Sequence, residues 1–219
     1  MNNCFILLAA GQSKRFKSSK HKQFISYKNK PLYEHSIIKA IESKLFKKII
    51  LVTNKRKIDV KKFKNKIKII KGGKERSDSS FLGIKYAKKL GAKNVFIHDA
   101  ARPNFEISLL KKINKYLKKY KAVIPYVNTS NSTKLILKGK IKNYDRSKVL
   151  LTHTPQAFRF EELYKRSLSN KKKITDESSL YIDNKKEIKF IKDSQDNFKI
   201  TKSSDIKNNK INYGIGFDV

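Results

Sequence analysis

An open α/β fold, a mostly parallel sheet with helices on both faces, is what the sequence predicts, and three observations carry it. The chain opens on a continuous apolar run, Phe5 to Ala9, of the kind found in strands buried on both faces of a parallel sheet. Further apolar runs alternate with stretches whose apolar residues recur at helical spacing. Polar segments follow the ends of the runs, at Gly11, Gly72-Gly73 and His98 to Pro103, where open sheets of this kind bind their ligands.

The elements follow in order. After the first strand comes a polar, basic loop from Gly11 to about His21. Tyr33, Ile37, Ala40 and Ile41 then mark an amphipathic helix over residues 32–43, and Ile49 to Thr53 reads as the second strand. A third strand, Ile67 to Ile70, ends at Gly72-Gly73, and Ser77 precedes a helix that runs through Leu90 and stops at Gly91. The fourth strand, Val95 to Ile97, runs straight into His98-Asp99, and a helix over 106–119 leads to a strand from Ala122 to Val127. The rhythm then breaks. Asn128 to Ser132 is a polar turn cluster and Thr133 to Lys142 reads as a hairpin about Lys138-Gly139-Lys140, so residues 128–150 form an excursion from the sheet. The chain returns through Thr152 to Phe158, a helix near 160–168, a short helix after Thr175, a strand from Ile188 to Ile191 and a final strand near Phe198 to Thr201.

Composition limits the function classes. The 219 residues are 38% hydrophobic, enough for one compact domain. The longest apolar run, Cys4 to Ala10, has 7 residues; a membrane-spanning helix needs about 20. Only Met1, Asn2 and Asn3 precede that run, without the basic stretch of a secretory signal, so a cytoplasmic protein with no membrane partner is expected. Cys4 is the single cysteine, which excludes an internal disulfide framework, and its place in an apolar run assigns it to the core. The formal net charge is +35, and with 7 arginines among 53 basic residues the excess is lysine. Lysine runs such as Lys61-Lys62, Lys118-Lys119 and Lys171 to Lys173 are spread along the whole chain, which reads as a solvated surface rather than a specific nucleic-acid interface.

Two segments carry chemistry. In Ala9-Ala10-Gly11-Gln12-Ser13-Lys14-Arg15-Phe16 a glycine after a strand lets backbone amides face an anion, with two cations at hand. It is neither a Walker loop nor the dinucleotide fingerprint, and an ordinary strand-to-helix turn stays open. His21-Lys22-Gln23-Phe24 adds a further cation. In His98-Asp99-Ala100-Ala101-Arg102-Pro103, Asp99 is placed to hold Mg²⁺ before a triphosphate and Arg102 to fork onto phosphate oxygens. The alternative is that Asp99 caps the next helix and pairs with Arg102. The four histidines show no zinc-ligand spacing, and no Ser-His-Asp motif is present.

Taken together and in order, the Ala-Ala-Gly-x-x-x-Arg-Phe loop, Lys22-Gln23, Gly72-Gly73-Lys-Glu-Arg-Ser-Asp-Ser79, His98 to Pro103, Thr154-Pro155-Gln156, Thr175-Asp176-Glu177 and Asp196 to Thr201 resemble the 2-C-methyl-D-erythritol 4-phosphate cytidylyltransferases of the non-mevalonate isoprenoid pathway. The resemblance covers residues 4–205 and implies a Rossmann-like sheet, a domain over 1–205 and a protruding hairpin arm, about 128–150, used in dimerisation. It also implies CTP and a polyol phosphate as substrates, Mg²⁺ or another divalent cation as cofactor, and a homodimer with shared active sites. Carried over by position, Arg15 and Lys22 match transition-state stabilisers. Ala9, Ala10 and Gly11 match the CTP loop, and Gly73 and Ser79 match cytosine contacts. Asp99 matches a ligand of metal and substrate, with Asp196 as a second metal ligand. Arg102, Thr154, Thr175 and Lys199 match the pocket for the second phosphate, Lys199 also as a catalytic cation. Thr133 matches a substrate contact, and Arg146 an arginine contributed by the partner subunit. Three features depart from the pattern. Leu8 stands where proline is common, Lys74 replaces a frequent acidic residue, and Pro125 to Lys134 carries extra residues with Ser132 in place of an acid.

Gly214-Ile-Gly-Phe-Asp-Val219 is similar to the opening strand of a cyclodiphosphate synthase, so residues 206–219 read as a linker or remnant of a fused downstream domain, or as a chance match. A cytidylyltransferase for a related polyol phosphate such as ribitol 5-phosphate is the nearest alternative. The two differ in the pocket around Arg146, Thr154, Thr175 and Lys199.

Overall fold

Alternation of side chains through the first strand builds the two halves of the core. The computed structural model describes residues 2–13, 16, 21–55, 58–63, 65–170, 174–183 and 186–207. Strand β1 (Asn3–Leu8) is followed by a small hairpin, β2 (Ser26–Tyr27) and β3 (Lys30–Pro31), and by α1 (Leu32–Glu42). Then come β4 (Lys48–Thr53), β5 (Ile67–Lys71), α2 (Arg76–Lys89), β6 (Asn94–Asp99), α3 (Ile107–Leu117) and β7 (Ala122–Asn128). The chain continues through β8 (Thr133–Leu137), β9 (Lys140–Tyr144), β10 (Leu150–Thr152), β11 (Gln156–Arg159), α4 (Phe160–Ser169), β12 (Ile188–Lys192) and α5 (Ser204–Lys207).

Strand β1 lies between β4 and β6, parallel to both, with Ile6 opposite Ile50 and Ile97. Phe5 and Leu7 point to one face, where Tyr33 and Ile37 of α1 and Leu110 and Ile113 of α3 cover them. Cys4, Ile6 and Leu8 point to the other, against Ile84 and Ala87 of α2 and Leu163 of α4. Cys4 belongs to the core as expected, and burial pushes its thiol up to about 11. Helix α2 sits so close to the sheet that a Cβ on Gly83 would come within 2.6 Å of Ile6, which only glycine avoids.

The sheet is parallel through β5, β4, β1 and β6, and again between β12 and β7, while β10 and β11 run antiparallel to their neighbours. Strands β8 and β9 form a separate two-stranded ribbon turning at Lys138-Gly139, both at positive φ, so the predicted hairpin is present. Two local expectations are corrected and one element is added. Helix α2 begins at Arg76, before Ser77, because Glu75 and Asp78 form a reciprocal capping box that fixes its first turn. The β2–β3 hairpin, turned by Lys28 and Asn29 at φ 46° and 65°, occupies residues 26–31, to which the sequence assigns no element. No strand forms over residues 198–201: the segment has no ladder partner and is tied by Ile200 N–H to the Ala101 carbonyl at 2.9 Å.

The parallel register brings the strand ends to one edge. Leu8 pairs with Val52 and with Asp99, so the loop after β1 and the turn after β6 emerge side by side.

Candidate active site

A cleft of about 380 Å³ opens at this edge, lined by the loop after β1, the start of α2, the end of β6 and the segment that crosses them near Lys199. Of the residues singled out in the sequence, Ala9, Ala10, Gly11, Lys22, Ser79, Asp99 and Lys199 line it. A Cβ on Gly11 would meet nothing within 4 Å, so the space above that residue is open to a ligand.

Gln23 holds the loop after β1. Its amide donates to the Ala9 carbonyl at 2.8 Å and the Gly11 carbonyl at 2.9 Å, while its oxygen accepts from the Ser13 hydroxyl at 3.1 Å. With its carbonyls engaged from behind, the loop is held in one shape. Lys22 next to it donates to the Ile200 carbonyl at 2.7 Å. The second loop, before α2, closes on itself: the Ser79 hydroxyl accepts from Gly73 N–H at 3.1 Å and donates to the Glu75 carbonyl at 2.9 Å. A Cβ on Gly73 would lie 2.3 Å from Asp78, so only glycine permits that closure. Gly73 thus supports the cleft wall from behind Ser79.

Asp99 stands between cations. Its Oδ1 accepts from Arg76 Nε at 3.0 Å and its Oδ2 from Lys199 Nζ at 2.6 Å. Burial raises its pKa, and the charges of Arg76, Lys199 and Arg102 outweigh that, holding the carboxyl well below the usual range. This settles the alternative left open by the sequence: α3 starts at Ile107 behind an N-cap at Glu106, and Asp99 caps nothing. Arg76, at the cleft wall, extends the pairing to Glu177, whose two oxygens accept from Nη1 and Nη2 at 3.0–3.2 Å. Burial pulls the Arg76 pKa down, but Asp99 and Glu177 together hold it above its ordinary value.

Behind Asp99 a neutral relay sets the backbone. Because the Arg102 carbonyl can only accept, His98 Nε2 carries the proton in their 3.0 Å contact. Nδ1 is then an acceptor, the Thr154 hydroxyl donates to it at 2.9 Å, and the same hydroxyl accepts Asp99 N–H at 3.1 Å. Full burial lowers the His98 pKa to about 3, so the ring stays neutral and works as a spacer rather than as a base. Thr154 is therefore buried behind the cleft, not on its surface. Arg102 donates to the Asn197 carbonyl at 2.7 Å, and burial, against the pull of Asp99, lowers its pKa.

The remaining candidates lie elsewhere. Thr175 is exposed, beside Asp176, which accepts from Thr152 and Gln156 at 3.0 Å each. Thr133 and Arg146 sit on the arm, where the Arg146 guanidinium donates to the Ser130 carbonyl at 2.5 Å. Asp196 is exposed in the turn after β12 and accepts from the Ser194 hydroxyl at 3.0 Å. Asp196 does not line the cleft. Arg15 and residues 208–219 fall outside the described residues. Among the described residues no group of three metal-ligating side chains occurs. The donors fit Mg²⁺ only as an ion carried in on phosphate oxygens, with the ionised Asp99 as a hard oxygen on the wall. Gln23, Arg76 and His98 are the residues whose roles the sequence did not disclose.

Comparison with known proteins agrees with this geometry. The family profile of 2-C-methyl-D-erythritol 4-phosphate cytidylyltransferase (IspD) matches residues 3–212. A bifunctional enzyme IspD/IspF of Pelagibacter ubique is 46% identical over 222 residues, covering 100% of this chain and 60% of that protein. The chain thus spans well under two thirds of that relative's length. A 2-C-methyl-D-erythritol 4-phosphate cytidylyltransferase of Clostridium acetobutylicum is 33% identical over 217 residues, covering 93% of this chain and 94% of its own. The crystal structure of the 4-diphosphocytidyl-2C-methyl-D-erythritol synthase of Anaerococcus prevotii superposes with a TM-score of 0.82 at 27% identity, over 94% of this chain and 93% of that one. By profile, by relatives and by fold, this chain belongs to the 2-C-methyl-D-erythritol 4-phosphate cytidylyltransferase family.

Proposed function

We propose that this chain transfers CMP from CTP to 2-C-methyl-D-erythritol 4-phosphate and releases pyrophosphate, one step in making isoprenoid precursors. The observation that carries it is the cleft itself: an open glycine loop facing Lys22, Asp99 and Lys199 at the ends of parallel strands. A phosphate oxygen of the acceptor attacks the α-phosphorus of CTP. The new P–O bond forms as the bond to the β-phosphate bridging oxygen breaks, and that oxygen leaves with the bonding pair on pyrophosphate. The nucleophile is already an anion, so no base has to take a proton from it. That suits a cleft offering ammonium groups, while the His98 imidazole behind Asp99 is turned to Arg102 and Thr154.

Lys22 and Lys199 line the space where charge grows on the phosphoryl oxygens, and Arg15 joins them by family position. Mg²⁺ or another divalent cation, when bound, would neutralise triphosphate charge beside Asp99. Arg102 and Thr154 shape the acceptor side from behind, and Thr175 joins it by family position alone. The arm supports a homodimer: Ile136 and Ile141, each 69% exposed, face solvent from β8 and β9 on the same arm as Arg146. In such a dimer Arg146 would reach the neighbouring cleft. We also read residues 206–219 as a linker to, or remnant of, a second enzyme domain, which the bifunctional Pelagibacter relative supports. Among the described residues no helix is long and apolar enough to cross a membrane. We place the enzyme in the cytoplasm, with its nucleotide substrate.

The test is pyrophosphate release with CTP and a panel of polyol phosphates. Turnover on methylerythritol phosphate well above that on ribitol 5-phosphate is expected; the reverse order, or none on either, overturns the assignment.

A further inference from the structure

We infer that Arg76 is a positioning residue that keeps Asp99 compensated, so that Lys199 can leave it for the acceptor's phosphate. The inference rests on the cytidylyltransferase reading and concerns the acceptor side of that site.

Four charges form one line across the cleft wall, Glu177, Arg76, Asp99 and Lys199, drawn from four distant parts of the chain. Arg76 is the first residue of α2, so a capped helix fixes its backbone. Its guanidinium works on two sides. One edge forks onto both oxygens of Glu177, and Nε reaches Asp99 at 3.0 Å. A lysine ammonium cannot span both carboxylates with the same fixed geometry. Glu177 has a side chain only 1% exposed and does not line the cleft, so it touches no substrate and acts through Arg76. Glu177 is itself held in place, since its neighbour Asp176 is tied to Thr152 and Gln156.

Lys199 lines the same cleft as Arg76 but is held by fewer bonds. It makes a single ion pair, at 2.6 Å, from a side chain that is 34% exposed and faces the cleft. Arg76 contributes four hydrogen bonds to its two carboxylates, Lys199 one. An arriving phosphate therefore displaces Lys199 more easily than Arg76. When Lys199 swings over, Asp99 keeps Arg76 and is not left as a lone buried charge, a state that is costly. Buried ion pairs are in general poor stabilisers compared with apolar groups of the same volume. A network of this size at a cleft wall is thus better explained by what it holds in place than by stability.

The test compares Arg76→Lys, Glu177→Gln and the double variant with the parent, by steady-state kinetics in both substrates and by CTP titration without acceptor. Loss of kcat/KM toward methylerythritol phosphate on the order of tenfold or more is expected in each, with CTP affinity unchanged. The double variant should lose no more than the worse single, because both act through one contact. Equal shifts for both substrates, losses that multiply in the double, or full activity in Glu177→Gln would each overturn the inference. If the single variants fail to fold, Arg76→Met/Glu177→Met removes both charges at similar volume. Parent-like acceptor kinetics in that protein overturn the inference, and a weakened acceptor KM with intact CTP binding supports it. A parent that binds CTP yet turns over no polyol phosphate defeats the cytidylyltransferase reading itself, a result distinct from parent-like kinetics in the variants.

Discussion

The cleft and the arm satisfy their side chains in opposite ways. Around the cleft, charged groups find partners within the chain: Asp99 has Arg76 and Lys199, and Glu177 has Arg76. On the arm, apolar groups are left in solvent, with Ile136 directly opposite Ile141 across β8 and β9 and Leu137 and Tyr144 also exposed. Pairing inside one chain preorganises a site, since Arg76 keeps Asp99 fixed and only Lys199 has to move when the ligand arrives. An unpaired apolar ribbon is left open to another surface, which the proposed dimer would supply. Damage to the cleft should therefore act on the chemistry of its own subunit, and damage to the arm on assembly and on the neighbour's site.

The largest effect is expected from the cation that meets charge in the transition state. Lys22→Ala should lower kcat by about a hundredfold or more while changing CTP binding little. Arg15→Ala should behave alike. Values of kcat within a few-fold of the parent, in protein shown to be folded by circular dichroism, would remove both from the mechanism. Next comes Asp99→Asn, which leaves Arg76 and Lys199 facing a neutral amide. Turnover should be lost, and urea unfolding should show a loss of about 2–3 kcal/mol, less than for a fully dry pair because Lys199 is partly solvated. Parent-like stability and activity in that variant would mean that the two cations do not depend on Asp99.

A smaller effect concerns the relay behind Asp99. Burial holds His98 neutral, with a folded pKa of about 3 against an ordinary value of 6.5. Below pH 6.5 the unfolded chain takes up a proton that the folded chain refuses, so stability is full above that pH and declines as pH falls. The decline from this one group between pH 7 and 5 is about 2 kcal/mol. Asp99, Asp176 and Asp193 all have lowered pKa values, and their contributions start to fade only near the ordinary carboxylate value of 3.8, below that window. Denaturant midpoints at several pH values should show the slope in the parent and its flattening in His98→Asn. An equal slope in both proteins would assign it to other groups.

The sequence exposes the parts of this molecule that depend on near neighbours. Strands β1, β4, β6 and β7 are legible as apolar runs because both of their faces are covered, and the polar loops after β1 and β6 follow from the strand ends. The segment 198–201 shows where pattern and ladder separate. Its alternation is real: Phe198 and Ile200 pack on Phe16 and Leu32 while Lys199 and Thr201 face the cleft. It looks like a strand for that reason, yet no neighbouring strand is there to bond it. Arg76 stayed without a role although its motif is visible. Its partners are 23 and 101 residues away, a distance that no local spacing encodes. Gln23 likewise gains its role only when the loop after β1 folds back over it.

The smallest effect tests the arm against the cleft directly. If Arg146 serves the partner's cleft, Arg146→Ala and Lys22→Ala homodimers are each inactive for different reasons, one lacking the arm's cation in both sites and the other the cleft's. In a mixed dimer the two lesions fall on the same site: the Lys22→Ala cleft receives the altered arm, and the other cleft keeps Lys22 and receives an intact Arg146. One whole site is restored. With free exchange half of the dimers are mixed, so a one-to-one mixture should recover about a quarter of parent turnover. Exchange is verified by native mass spectrometry of differently tagged subunits. Recovery near that fraction makes the arm a part of the neighbouring site. A mixture that exchanges yet stays as inactive as its parents confines Arg146 to its own chain, where its guanidinium donates to the Ser130 carbonyl of the same arm. The contrast between a self-sufficient cleft and an outward arm would then concern assembly alone.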